Sequence, residues 1–243
     1  MAFLQPDKVY NANGVTVKEY LLTVHNPVMI AMPSARTKPL LGVTIHNTDA
    51  IKVSGTTMAE QYTRATVNGN MKSVRVHFYV DEAEAWQNLP LGWQGWHAAD
   101  GNGNGNTATI AIECIGASAK AEDNAARLAA WLLDKYKFNT ERLYTHTYWL
   151  NVRDGKTQGL SKDEACIRPH PYKVCPAYII PHWAAFVKQV QAYQRAVADE
   201  PADEPAKARY YVQVGAFAGK ENAEKYLEIV KKDYPDAFIK EMS

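Results

Sequence analysis

Three segments of the chain alternate between apolar and polar residues, and this period of two is the strongest constraint on the fold. The segments span residues 41–46, 74–81 and 108–114. Because successive side chains of a strand point to opposite faces, each segment is predicted to be a strand with one apolar row. His46 and Glu113 fall on the polar rows of the first and third strands, opposite the rows that would enter a core.

Helical patterns lie between these strands. Apolar residues recur at three-and-four spacing in 121–137 and 178–196, and more weakly in 57–67. Strands interleaved with helices predict an α/β fold with a mixed central β-sheet flanked by helices in three layers.

A linker divides the chain. Residues 196–208 repeat an Ala-Asp-Glu-Pro unit, and acidic groups and prolines favour an extended segment. We therefore expect a catalytic domain over 1–195, the linker over 196–208 and a small βαβ segment over 209–243. With 243 residues, of which 47% are hydrophobic, the chain can bury one large core and a small appendage.

Charge and the chain start exclude several classes of protein. A formal net charge of +1 provides no field for nucleic acid or anionic lipid, so we expect neither partner. No segment has the roughly 18 apolar residues of a membrane span, and residues 1–8 lack the pattern of a signal peptide. We expect synthesis in the cytoplasm. Three cysteines at irregular spacing give no disulfide framework, so at least one is better explained as a ligand.

Two histidines and one cysteine are candidate metal ligands. They are His46, His146 and Cys175, each at the predicted edge of regular structure. Two imidazoles and a thiolate suit tetrahedral Zn²⁺, and three protein ligands leave a position for water, as in catalytic rather than structural sites. His170 is an alternative to His146; the prolines around it favour an inserted loop, so His146 is preferred.

Six motifs resemble those of the type-2 N-acetylmuramoyl-L-alanine amidases, which share a fold with peptidoglycan recognition proteins and bacteriophage T7 lysozyme. The resemblance covers residues 41–190, and the motifs lie at 43–48, 76–81, 95–99, 109–113, 144–147 and 173–176. It implies a zinc hydrolase that cuts the amide between N-acetylmuramic acid and the first L-alanine of peptidoglycan, with the metal held by His46, His146 and Cys175.

The resemblance also implies roles for other residues. Glu113 would be the general base and then the acid, and Lys173 would stabilise the oxyanion. Some relatives carry a tyrosine where this chain has Val76, which places more of the catalysis on Glu113. Three residues are assigned to substrate contact, although hydrogen bonding within the cleft wall or core packing would also explain them: His77, Trp96 and His97. Residues 100–106, rich in glycine and asparagine, are expected to form a flexible loop at the cleft edge.

The C-terminal segment begins with Tyr-Val-Gln-Val-Gly-Ala-Phe at 211–217, and a helix is predicted over 220–233. The opening motif resembles about half of a SPOR domain, a class that binds peptidoglycan. A half-unit buries little surface, so we expect it to pair with a second copy in a homodimer or to dock on the catalytic domain. The resemblances indicate a wall-lytic endolysin of a phage or prophage, released by a holin-type protein. A bacterial autolysin exported by another route is the alternative to a phage endolysin. The alternative function is a peptidoglycan-recognition module that binds without cutting. A second alternative, a metal-stabilised structural protein of a phage particle, would not need Glu113 and Lys173.

Overall fold

A mixed sheet of seven strands organises the N-terminal part of the chain. The computed structural model describes residues 3–27, 35–199 and 220–231, and the chain divides into two units, Met1–Glu200 and Pro201–Ser243. Within the described residues the strands are β1 (Lys8–Ala12), β2 (Val15–Glu19), β3 (Gly42–Thr48), β4 (Phe78–Val80), β5 (Ala85–Gln87), β6 (Thr109–Ile115) and β7 (Leu143–Thr145). The helices are α1 (Leu22–His25), α2 (Met58–Val67), α3 (Asn104–Ala108), α4 (Ala119–Lys135), α5 (His146–Arg153), α6 (Lys162–Ile167), α7 (Trp183–Asp199) and, in the second unit, α8 (Lys220–Val230).

The strand order is β1-β2-β5-β4-β6-β3-β7. Strand β3 pairs in parallel with both β6 and β7, and β4 is parallel to β6. The pairs β1–β2 and β4–β5 are antiparallel. The register sets His46 directly beside Glu113 on the two central strands. The predicted mixed sheet with flanking helices is therefore confirmed.

The two faces of the sheet have different surroundings, as the alternation predicts. Ile45 and Ile112 belong to the main core, which also contains buried residues of α4 and α7. The opposite face carries His46, and there Trp149 of α5 donates its indole N–H to Thr44 Oγ1 at 2.8 Å. The polar rows of β3 and β6 thus line an interior region between the sheet and α5.

The second predicted strand, over 74–81, is wrong in its length and partly in its parity. Regular pairing begins only at Phe78, because Arg75 instead exchanges backbone hydrogen bonds with Trp96 at 2.9 and 2.8 Å. Val76 consequently packs with Tyr79 in a smaller apolar cluster, whereas Phe78 enters the main core.

Side-chain caps define the helix starts. Thr57 accepts from the backbone N–H of Glu60 at the start of α2, and Ser118 accepts from Lys120 and Ala121 at the start of α4. The expected helix over 178–196 begins later, at Trp183, because residues 180–182 form a 3-10 turn.

In the second unit, the structure describes one helix and the residue after it. Helix α8 lies where the βαβ segment is expected to be helical, whereas both predicted strands of that segment and most of the linker lie outside the described residues. Within the part of the chain that the structure describes, no helix has the length and hydropathy needed to span a membrane.

Candidate metal centre

The two predicted histidine ligands meet across neighbouring strands. His46 lies near the end of β3, and His146 begins α5 immediately after β7, which pairs with β3. Thr145 caps that helix by accepting from the N–H of Tyr148. The Nδ1 atoms of His46 and His146 are 3.2 Å apart, although the residues are separated by 100 positions in the sequence.

Cys175 completes the cluster. Its Sγ lies 3.9 Å from His46 Nδ1, and the candidate ligand atoms of all three residues lie within 4.8 Å of one another. Thr147 holds the cysteine in place: its hydroxyl accepts from Cys175 N at 2.7 Å, and its backbone N–H donates to the Cys175 carbonyl at 2.9 Å. The residue after one candidate ligand thus fixes the backbone of another.

The donor set fits a zinc ion. Atoms bound to a tetrahedral zinc lie roughly 3.4 Å apart for two nitrogens and roughly 3.6 Å apart for nitrogen and sulfur. The observed separations of 3.2 and 3.9 Å differ from these values by a few tenths of an ångström. All three side chains are buried, with 1% exposure for His46, 4% for His146 and 1% for Cys175.

Burial sets the protonation of the ligands. It lowers the pKa of His46 well below its usual value and that of His146 to about 3, so both rings are neutral, the form that binds metal. Burial also raises the pKa of the Cys175 thiol to about 12. A bound cation favours the thiolate and opposes that shift.

Glu113 is placed beside this cluster. Its Oε1 lies 3.9 Å from His46 Nδ1, and its Oε2 is buried with no hydrogen-bond partner among the described residues. Burial raises the pKa of the carboxyl from 4.5 to about 7, and the positive charge of Lys173 opposes this shift. A carboxyl group with a pKa near neutrality can both accept and return a proton.

Lys173 lies on the exposed segment that leads into Cys175. Its charge contributes to the pKa values of Glu113 and of the three candidate ligands, so the ammonium group acts electrostatically on the whole cluster. The candidate metal ligands, the Glu113 carboxylate and the Lys173 ammonium group therefore lie in one region of the molecule.

His97 contacts a candidate ligand directly. Its Nδ1 lies 3.0 Å from His46 Nε2, on the side of the ring away from the other ligands. Asn106 holds the His97 backbone, since its Oδ1 accepts from the N–H groups of His97 and Ala98 at 2.6 and 2.7 Å. A ligand histidine that binds metal through one nitrogen is commonly oriented through the other. Substrate contact by His97 stays a prediction.

His77 and Trp96 differ in accessibility. His77 is 0% exposed; its Nε2 donates to the Trp93 carbonyl at 2.9 Å, and its Nδ1 accepts from the Ala111 N–H at 3.1 Å. The substrate contact predicted for His77 therefore has no geometric support, because both nitrogens bond to the backbone in the interior. Trp96 is partly buried beside His97, and its substrate contact stays a prediction.

His170, the alternative ligand, lies apart from the cluster. Its Nε2 is 3.0 Å from Asp154 Oδ2, and its Nδ1 accepts from the Tyr172 N–H at 3.2 Å. The cluster instead contains His146, the preferred residue.

The glycine- and asparagine-rich segment is not the expected flexible loop. Residues 104–108 form α3, and Asp100 accepts from the N–H groups of Gly105 and Asn106 at 2.8 and 3.1 Å. A side chain at Gly105 would place its Cβ 2.7 Å from Trp149 Cγ, so glycine permits this close packing.

The fold and the cluster define an α/β protein with a candidate metal centre between its sheet and α5. Comparison with known proteins is specific: the N-acetylmuramoyl-L-alanine amidase model matches residues 36–178, more than half of the chain, and the SPOR domain model matches residues 206–243. The chain belongs to the N-acetylmuramoyl-L-alanine amidase family, and its SPOR-like segment is confirmed.

Two curated relatives are amidases of Bacillus subtilis (strain 168). The amidase XlyA is 38% identical over 113 residues, which cover 45% of this chain and 37% of XlyA. The amidase CwlH is 30% identical over 183 residues, which cover 73% of this chain and 62% of CwlH. The matched region thus spans less than two thirds of either relative.

Solved structures share the fold. The catalytic domain of XlyA aligns with a TM-score of 0.54 at 30% identity and covers 72% of this chain and 99% of that domain. PlyL aligns with a TM-score of 0.55 at 24% identity, and the alignment covers 72% of this chain and 96% of PlyL. The second likeness concerns the fold alone.

Proposed function

We propose that the protein is a zinc-dependent, wall-lytic enzyme that hydrolyses the amide between N-acetylmuramic acid and L-alanine in bacterial peptidoglycan. The observation that carries the proposal is the buried cluster of His46, His146 and Cys175 beside the carboxylate of Glu113. Family membership and the similarity to the amidases XlyA and CwlH support the choice of bond. Zinc, when bound, supplies Lewis-acid polarisation of the scissile carbonyl and lowers the pKa of water.

We propose that Glu113 transfers a proton from the attacking water to the leaving amine. Its unpartnered Oε2 would take a proton from the attacking water, and the same carboxyl would then donate it to the leaving amine nitrogen of L-alanine. A pKa of about 7 suits both steps, because neither the ionised nor the protonated form is strongly disfavoured at neutral pH.

Lys173 is proposed to stabilise the developing oxyanion. Its charge already acts on Glu113 and the candidate ligands. The Lys173 side chain is exposed, so its ammonium group can approach a substrate carbonyl. His97, which contacts His46, and Trp96, its neighbour in the sequence, are proposed to contact the glycan or the stem peptide.

The SPOR-like segment is proposed to bind the wall. The match to the SPOR domain model supports this role, and tethering would raise the effective concentration of substrate at the catalytic unit. Pairing of two such segments in a homodimer and entry to the wall after holin-type release belong to the same proposal.

Release of amino groups from purified peptidoglycan tests the function. The zinc-loaded protein should release N-terminal L-alanine, a chelator should abolish release, and added zinc should restore it. Glu113→Gln should retain zinc and bind wall but release no amino groups. Wall binding without release by the zinc-loaded protein would overturn the proposal and favour the non-catalytic recognition module.

A further inference from the structure

The segment between α5 and Cys175 folds back onto the end of α5. Asn151 is 0% exposed, and its Nδ2 donates to the carbonyls of Ala165 and Arg168 at 3.1 and 2.9 Å. The helix that begins with His146 therefore also anchors the segment that leads to the last candidate ligand.

His170 forms a second anchor. The His170 side chain is 2% exposed; its Nδ1 accepts from Tyr172 N–H, so its Nε2 carries the proton and donates to Asp154 Oδ2. One ring thus joins the end of α5 to the backbone immediately before Lys173.

Asp154 is itself held in place. Arg153 donates to both oxygens of Asp154 at 2.6 and 3.0 Å, and its Nη1 donates to the Ala99 carbonyl at 2.8 Å. The hydrogen bonds from Arg153 lower the pKa of Asp154 to about 2, which keeps the carboxylate ionised. The anchor therefore ties together the two segments that carry His97 and Lys173.

Apolar burial contributes little to the segment around Lys173. Tyr172 is 68% exposed and Val174 is 38% exposed, whereas burial resumes at Cys175 with 1%. The hydrogen bonds of His170, together with the Arg153 guanidinium 5.7 Å from the centre of the Tyr172 ring, restrict the backbone there more than apolar packing does. The backbone in turn limits where the long Lys173 side chain can reach.

We propose that His170, which is not a metal ligand, is a positioning residue: with Asp154 it fixes the backbone of 170–173 and so places the Lys173 ammonium at the metal centre. This inference rests on the proposed amidase function. The loss of His170 would let the ammonium occupy many positions, most of them too far from the reacting carbonyl to help.

A double-mutant cycle tests the coupling in the full-length, zinc-loaded protein. His170→Ala should lower kcat on soluble muramyl-peptide fragments by about 10- to 100-fold with little change in KM. In a Lys173→Met background the same change should have almost no further effect, because the residues act as a unit. A merely structural role would give equal losses in both backgrounds, and that result would overturn the inference. Zinc content and thermal unfolding confirm that each variant is folded.

Amide exchange provides a readout that needs no activity. The Tyr172 amide should be protected in the wild type and exchange freely in His170→Ala. His170→Asn, which keeps an acceptor near the Nδ1 position, should retain protection, whereas His170→Gln should lose it. If the wild type releases nothing from any wall, the proposed function fails while this measurement still decides the anchor. Free exchange of Tyr172 in the wild type would overturn the anchor alone.

Discussion

Replacement of Thr147 by valine should loosen the metal centre without changing its ligands. The Thr147 side chain is buried, and its hydroxyl is the acceptor for the backbone N–H of Cys175 at 2.7 Å. Valine has nearly the same shape but no acceptor, so this buried N–H would lose its partner. The Cys175 carbonyl would lose the hydrogen bond from the Thr147 hydroxyl at 3.1 Å but keep the one from the Thr147 backbone N–H at 2.9 Å.

The expected loss follows from this one unpaired donor. An unsatisfied buried N–H costs about 2 kcal/mol, which for a unit of this size lowers Tm by about 4–8 °C. Zinc affinity should fall by about 10- to 100-fold, because the thiolate is held less firmly. Thermal unfolding is best followed on chelator-treated protein, since zinc that binds only the native state would mask the difference.

Thr147→Ser is the matched control. It keeps the hydroxyl and loses only a methyl group, so it should bind zinc as the wild type does and unfold closer to it than Thr147→Val does. A Thr147→Val protein that matches the wild type in both Tm and zinc affinity would refute the role assigned to this hydroxyl.

Two further substitutions test the surroundings of the centre. His97→Ala removes the contact with His46 Nε2 and should weaken zinc binding by about 10- to 100-fold in competition with a chromogenic chelator; unchanged affinity would show that His97 does not orient the ligand. Gly105→Ala places a Cβ 2.7 Å from the Trp149 ring and should cost about 1–3 kcal/mol in urea unfolding, whereas Gly92→Ala, with no neighbouring atom within 4 Å, should change stability little. Equal stability of the two glycine variants would contradict the close packing of α3.

Strand parity and motif order predicted the parts of the site that depend on local sequence. Period-two alternation placed His46 and Glu113 on polar rows, and the register sets them side by side on β3 and β6. The preference for His146 over His170 also agrees with the geometry, although only the structure shows what the second histidine contacts.

Contacts between distant segments were not predictable in the same way. The sequence predicts substrate contact for His97 but not the 3.0 Å contact of its Nδ1 with Nε2 of His46, 51 residues away, because no local pattern encodes that pairing. Thr147 was overlooked, although its place directly after His146 in Tyr-Thr-His-Thr was a usable signal. The glycine and asparagine content of residues 100–106 predicts a flexible loop, but the hydrogen bonds from the N–H groups of Gly105 and Asn106 to the Asp100 carboxylate override that preference.

The N-terminal hairpin was also missed. Asn13-Gly14, between β1 and β2, is a strong turn signal, and both residues have positive φ, of 53° and 86°. The flanking strands are short, five residues each, so their alternation alone was too brief to indicate strands.

Zinc content per chain distinguishes His146 from His170 as the second histidine ligand. We expect a single zinc ion in the wild type, little or none in His146→Ala and Cys175→Ser, and a full complement in His170→Ala. Retention of zinc by His146→Ala together with its loss from His170→Ala would contradict the assignment of the metal centre.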